Sequence, residues 1–180
     1  RGRARDVVST APPAPKALLA ILATAMACAV TLVVARFLHR PDGEWDAFAP
    51  HNPEIQRFGD TFALCYIANS DFHQPPHPLN QQIGMVVSDR VNGPWRKVGK
   101  DGLILGRSPD PNHFTYGRQI VNPALLKVGD KFHLYFKTTG KLRGTTVYGL
   151  AVADQFTGPY HILEMPLAGN GGFIEDGSAF

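Results

Sequence analysis

Hydrophobic positions fall into two patterns along this chain. Residues 17–35 form an apolar run without a single charge, whereas from residue 54 onward apolar and polar residues alternate in short stretches. Alternation with a period of two is the signature of half-buried β-strands, because successive side chains point to opposite faces. It predicts a strand over 61–68, with Phe62, Leu64 and Tyr66 on one face, and another over 131–137, with Phe132, Leu134 and Phe136 on one face. Shorter stretches at 54–58, 83–88 and 95–98 surround the first of these, and 125–128, 147–153 and 160–163 surround the second. Gly59-Asp60 and Asn92-Gly93-Pro94 supply turn chemistry between them.

The two groups of strands are copies of each other. Asn52, Gly59 and Phe62 recur as Asn122, Gly129 and Phe132 at an offset of 70, while Gly84 and Pro94 recur as Gly149 and Pro159 at an offset of 65. The difference of five therefore falls between the second and third strands, as in a repeated unit with one variable loop. A repeat of four short antiparallel strands predicts an all-β fold, a β-propeller, in which blades stack radially because a single twisted sheet cannot bury both faces. A β-sandwich also has many short strands but does not repeat motif for motif. Alternating strand direction puts Asn52, Asn122, the loops 70–81 and 138–146 and the connection 100–120 on one rim, where binding residues concentrate.

The apolar run changes the picture at the other end. Nineteen uncharged residues are just long enough to cross a hydrocarbon core as a helix. Basic residues are more numerous before it (Arg1, Arg3, Arg5, Lys16) than after it (Arg36, Arg40), which orients an uncleaved anchor with the rest of the chain extracellular or lumenal. A cleaved signal peptide ending near Val33-Val34-Ala35, giving a secreted protein, and a buried soluble helix are the competing readings. The chain thus divides into a basic tail (1–16), a hydrophobic helix serving as signal anchor or signal peptide (17–35), a linker (36–50) and a partial propeller (51–180). Its blades span 51–99 and 121–164, and a third begins near 174, so the sequence reads as a fragment.

Composition narrows the function. With 44% hydrophobic and 18% charged residues, the 180-residue chain is globular rather than disordered. A net charge of +3, gathered around the apolar run, gives no basic face for nucleic acid. Two cysteines, Cys28 and Cys65, do not make a disulfide framework. In the loop Phe72-His73-Gln74-Pro75-Pro76-His77 the prolines exclude a helix that would bring His73 and His77 onto one metal, so no metal site is expected.

Asn-Pro before strand one, Gly-Asp-x-Phe before strand two, Ile83-Gly84-Met85-Val86-Val87-Ser88-Asp89 in strand three and Gly93-Pro94-Trp95 before strand four are together similar to the five-bladed β-propeller glycoside hydrolases around family 43. The resemblance covers about residues 50–180. It implies hydrolysis of an oligo- or polysaccharide by carboxyl groups lining a central funnel, one protonated and another ionised. Glu175, in Ile174-Glu175-Asp176-Gly177, falls where the general acid is expected, and Asp176 is the alternative carboxylate. Asn122 stands where a tuning aspartate is expected; an amide carries no charge but bonds sugar hydroxyls. Asn52, His51, His113 and Arg118 are the remaining candidate substrate contacts, joined at a lower grade by Arg107 and Tyr116. No cofactor is implied, and nothing indicates the structural calcium ion that a propeller channel can hold.

Structural readings stand beside these. Asn before proline is common in turns, Trp95 and Tyr160 suit packing between blades, and Asp89 and Asp154 suit turn capping. A carbohydrate-binding propeller without catalysis, supported by Asn122 in place of a carboxylate, and a sugar-transferring enzyme are the rival functions.

Overall fold

The computed structural model describes residues 44–70, 80–139 and 145–167. The predicted helix over 17–35, the His-rich loop and the third blade start with Glu175 and Asp176 lie outside the described residues. Among the described residues no helix is long and apolar enough to cross a membrane.

Among the described residues nine strands form two antiparallel sheets. The first contains β1 (Phe48–Phe58), β2 (Thr61–Asn69), β3 (Gln82–Ser88) and β4 (Arg96–Lys97) in that order, with β5 (Leu103–Leu105) also pairing with β3. The second is β6 (Ile120–Val128), β7 (Lys131–Thr139), β8 (Thr146–Ala153) and β9 (His161–Ile162), again in chain order. Each sheet contains the four-stranded meander that the repeat predicts, and the first adds β5. Two details differ from the expectation. β5 falls within the expected connection, where Met85 N–H donates to Gly102 O (2.8 Å) and draws the chain back along β3. The first strand of each blade is longer, starting at Phe48 and Ile120 instead of 54 and 125. The alternation is broken there by β-bulges, between His51 and Glu54 and between Val121 and Ala124, which hide the strand from a strict period-two reading.

The main core lies between the sheets. Ala63, Cys65, Ile67, Ile83 and Met85 of the first blade meet Val121, Leu125, Leu134, Phe136 and Ala151 of the second, with Tyr160 closing one side. At the turn end Phe58 packs edge-on against Phe132 (ring centroids 5.2 Å) and stacks on Phe156 (5.1 Å). Cys65 is a free, buried thiol. A second cluster occupies the far face of the first blade: Leu64, Tyr66, Ala68, Val86 and Trp95, covered by Trp45. Burying aliphatic and aromatic side chains of this size contributes about 1.5–3 kcal/mol each. Trp95 and Tyr160 are both buried: Tyr160 packs in the core between the two sheets, as expected, and Trp95 in the cluster on the far face of the first.

Two glycines are fixed by close approach. A Cβ on Gly84 would lie 2.5 Å from Tyr66 Cζ, and one on Gly149 would lie 2.2 Å from Phe136 Cζ. Each pairs directly opposite its aromatic residue on the neighbouring strand, so ring and glycine repeat together. The part of the expected linker at 44–47 is folded. Trp45 stacks on Tyr66 (5.8 Å) and donates through Nε1 to Asp101 O (3.1 Å), while Phe48–Pro50 already belong to β1.

Candidate functional site

The site is built on the innermost strands, β1 and β6. Asn52 and Asn122 occupy the two bulges with φ of 47° and 53°, the non-glycine residues with positive φ among those described. Left-handed backbone is costly for L-residues and least so for asparagine; before proline the residue normally stays extended. The same strained geometry in both copies turns the two side chains toward each other. Asn52 Nδ2 donates to Asn122 Oδ1 at 3.2 Å, bridging the blades. Strain of this kind costs about 1–3 kcal/mol per residue and persists where the surroundings enforce it, commonly at binding sites.

His51 and Arg118 flank this pair. Gln81 Nε2 lies 3.1 Å from His51 Nε2; an amide nitrogen only donates, so His51 Nε2 accepts and the ring proton sits on Nδ1. Gln81 O accepts from Ile120 N–H (2.9 Å), which ties the loop before β3 to the start of β6. Arg118 Nη1 donates to Thr139 O (3.0 Å) and Thr138 Oγ1 to Gln119 O (2.6 Å), holding the same rim from the other side. Asn52 and Asn122 are thus joined to each other, while the hydrogen bonds of His51 and Arg118 run to Gln81 and to Thr139 O.

His113 is placed elsewhere. It sits in the connection between blades, its Nε2 donating to Leu163 O (3.3 Å) and its Nδ1 accepting from Thr115 N–H (3.2 Å). Thr115, fully buried, accepts from Ser108 N–H at 3.0 Å, so this stretch is pinned against β9. A cavity of about 290 Å³ lies there, lined by Arg107, His113, His161 and Glu164 over Leu105 and Tyr160; neither Asn52 nor Asn122 lines it. Tyr116 is half exposed on the same connection.

Two polar residues near β6 carry no mark in the repeat. Gln81 ends the variable loop. Glu54, two residues after Asn52, reaches across to β6: its Oε2 accepts from Leu125 N–H (3.3 Å) and its Oε1 from Gln56 Nε2 (2.7 Å). Burial raises the Glu54 pKa above the ordinary carboxylate value, and the two hydrogen bonds offset this only in part. The second copy has Ala124 at this position, and that departure from the repeat is the signal that singles Glu54 out. No group of three or more His, Cys, Asp or Glu side chains able to hold a metal ion occurs among the described residues.

No protein-family model matches the chain. No curated protein sequence matches it either. Solved structures do. A family 117 glycoside hydrolase from the marine bacterium Zobellia galactanivorans superposes with a TM-score of 0.59 at 18% identity, covering 71% of this chain and 35% of that one. A family 43 β-xylosidase/α-arabinofuranosidase from a compost metagenome, solved with xylotriose, gives 0.54 at 17% identity over 70% and 36%. A family 43 enzyme from Xanthomonas citri, also with xylotriose, gives 0.53 at 17% over 76% and 38%. The chain spans little more than a third of the length of these structures. Its two four-stranded blades have the fold of the five-bladed β-propeller glycoside hydrolases.

Proposed function

We propose that this chain is part of a β-propeller glycosidase that binds an oligo- or polysaccharide at the funnel rim and cleaves a glycosidic bond. One observation carries the reading: on a fold shared with glycoside hydrolases, two asparagines in strained backbone are bonded to each other across the blade openings. Two amides present donors and acceptors together, which is what vicinal sugar hydroxyls require. His51 and Arg118 extend the polar surface, and in this reading their hydrogen bonds hold the rim ready for sugar. Glu175 serves as general acid, with Asp176 beside it, donated by the third blade. The segment 17–35 places the propeller on the extracellular or lumenal side of a membrane or directs its secretion. The reaction uses no cofactor in this reading.

The test is release of reducing sugar by the full-length protein from a panel of oligosaccharides beginning with xylotriose. Glu175→Gln lowers turnover about 10²-fold or more while leaving sugar binding intact. If no sugar is released from any oligosaccharide, or if Glu175→Gln leaves turnover unchanged, the hydrolase reading is lost. The asparagines at both 52 and 122, where acid chemistry would use carboxylates, then favour a carbohydrate-binding propeller. A product in which the sugar is joined to another sugar or to phosphate identifies a transferase.

A further inference from the structure

We propose that Glu54 is a positioning residue of the funnel, tying β1 to β6 beside the Asn52–Asn122 pair so that its protonation state sets the spacing of the two amides. The proposal deepens the glycosidase reading, on which the role of the amides in sugar binding rests. Two side-chain bonds cross between the innermost strands, Asn52 Nδ2 to Asn122 Oδ1 and Leu125 N–H to Glu54 Oε2, and they lie two to three residues apart on each strand. β6 is the edge strand of its sheet and pairs only with β7, so its outward backbone donors meet no strand, and the Glu54 carboxyl meets one of them.

The groups facing Glu54 leave it as the titrating element of this junction. Gln56 on its own strand is neutral, and Leu125 on β6 contributes only backbone. Cys65, directly opposite on β2, and Tyr160, before β9, both have pKa values raised by burial and by the Glu54 charge, so each stays neutral at acidic and neutral pH. His51, across the β1 bulge from Glu54, is bonded to Gln81 rather than to Glu54. An ionised Glu54 accepts two hydrogen bonds strongly but lacks water; a protonated one accepts weakly and is at ease in the core. Proton uptake therefore loosens the tie to Leu125 without penalty from burial, and the amide pair two residues away follows.

The test is a pH titration of the full chain, following the side-chain amide resonances of Asn52 and Asn122 and the backbone amide of Leu125 by NMR. In the native protein all three shift together along one sigmoid whose midpoint lies above the ordinary glutamate value. In Glu54→Gln the three resonances stay flat, and in His51→Gln they move as in the native protein. Asparagine resonances that stay still while Leu125 titrates, or that titrate unchanged in Glu54→Gln, overturn the proposal. Unfolding in urea supplies a second readout. A raised folded pKa means that the stabilisation is full below the unfolded value and declines as pH rises through the folded one, a slope that Glu54→Gln removes. The oligosaccharides of the turnover panel, xylotriose first, added to the same samples separate the two readings: amides that follow Glu54 but respond to none of them support the tie and sink the glycosidase assignment.

Discussion

Blade one and blade two carry the same motif, yet they bury the corresponding faces in different ways. In blade two the face bearing Phe132, Leu134 and Phe136 packs on its neighbour and is wholly apolar where it matters. In blade one the matching face bears Phe62, Leu64 and Tyr66, and what covers it is Trp45 and Asp46. Tyr66 stands where the other copy has Phe136, and its hydroxyl donates to Asp46 Oδ2 at 2.8 Å. Lys97 stands where the other copy has Ile162 and forms an ion pair with the same carboxylate oxygen. Lys97 is 6% exposed and Asp46 0%. One added hydroxyl and one added ammonium thus accompany a carboxylate delivered from outside the repeat. The set is satisfied through Asp46 Oδ2, which takes both the Tyr66 hydroxyl and the Lys97 ammonium, while Asp46 Oδ1 is buried without a hydrogen-bond partner.

Removing one member of that set gives the largest effect. Asp46→Ala leaves the Lys97 ammonium and the Tyr66 hydroxyl buried without their shared acceptor, and breaking a buried ion pair from one side costs about 3–5 kcal/mol. Urea unfolding measures it; a loss below about 1 kcal/mol would mean that solvent reaches Lys97 and that the two faces are less different than drawn. The reciprocal substitution, Phe136→Tyr, puts a hydroxyl on the face where Ile162 replaces Lys97. A buried hydroxyl without a partner costs about 1–3 kcal/mol, and the same measurement reads it. A stability equal to the native one would show that blade two has an acceptor in reserve. The smallest effect belongs to the surface. Lys131 and Asp154 pair on the surface of blade two. The pair holds the Asp154 pKa below its ordinary value, so any stabilisation is present above the unfolded value and disappears as pH falls through the folded one. Asp154→Asn changes the urea midpoint slightly at low salt and not at all at high salt. A change that persists in high salt would give Asp154 a structural role beyond charge.

How much of this was legible beforehand differs from residue to residue. The repeat of Asn-Pro, Gly-Asp and Gly-Pro reveals two blades, and the pairing of Gly84 with Tyr66 and of Gly149 with Phe136 explains why both members of each pair recur. Asn52 and Asn122 stand out by position. The bond between them is not legible, because it depends on backbone turned through positive φ at both bulges. Glu54 and Gln81 carry no motif and gain their meaning only from β6, some 40 to 70 residues further on. His113 looks like a rim residue because the connection begins and ends near the rim. Its hydrogen bond to Leu163 O places it against β9 instead.

The sequence by itself determined the all-β class, the two-blade repeat, the face each alternating residue takes and the recurrence of the two Asn-Pro pairs at matching positions. These follow from local periodicity and turn chemistry, which act over a few residues. Only the tertiary structure decided that Asp46 completes a buried polar set, that Glu54 bridges two strands and that His113 belongs to a side cavity. Each of those depends on which groups are excluded from water together, and burial is a property of the assembled blades rather than of any one stretch of chain.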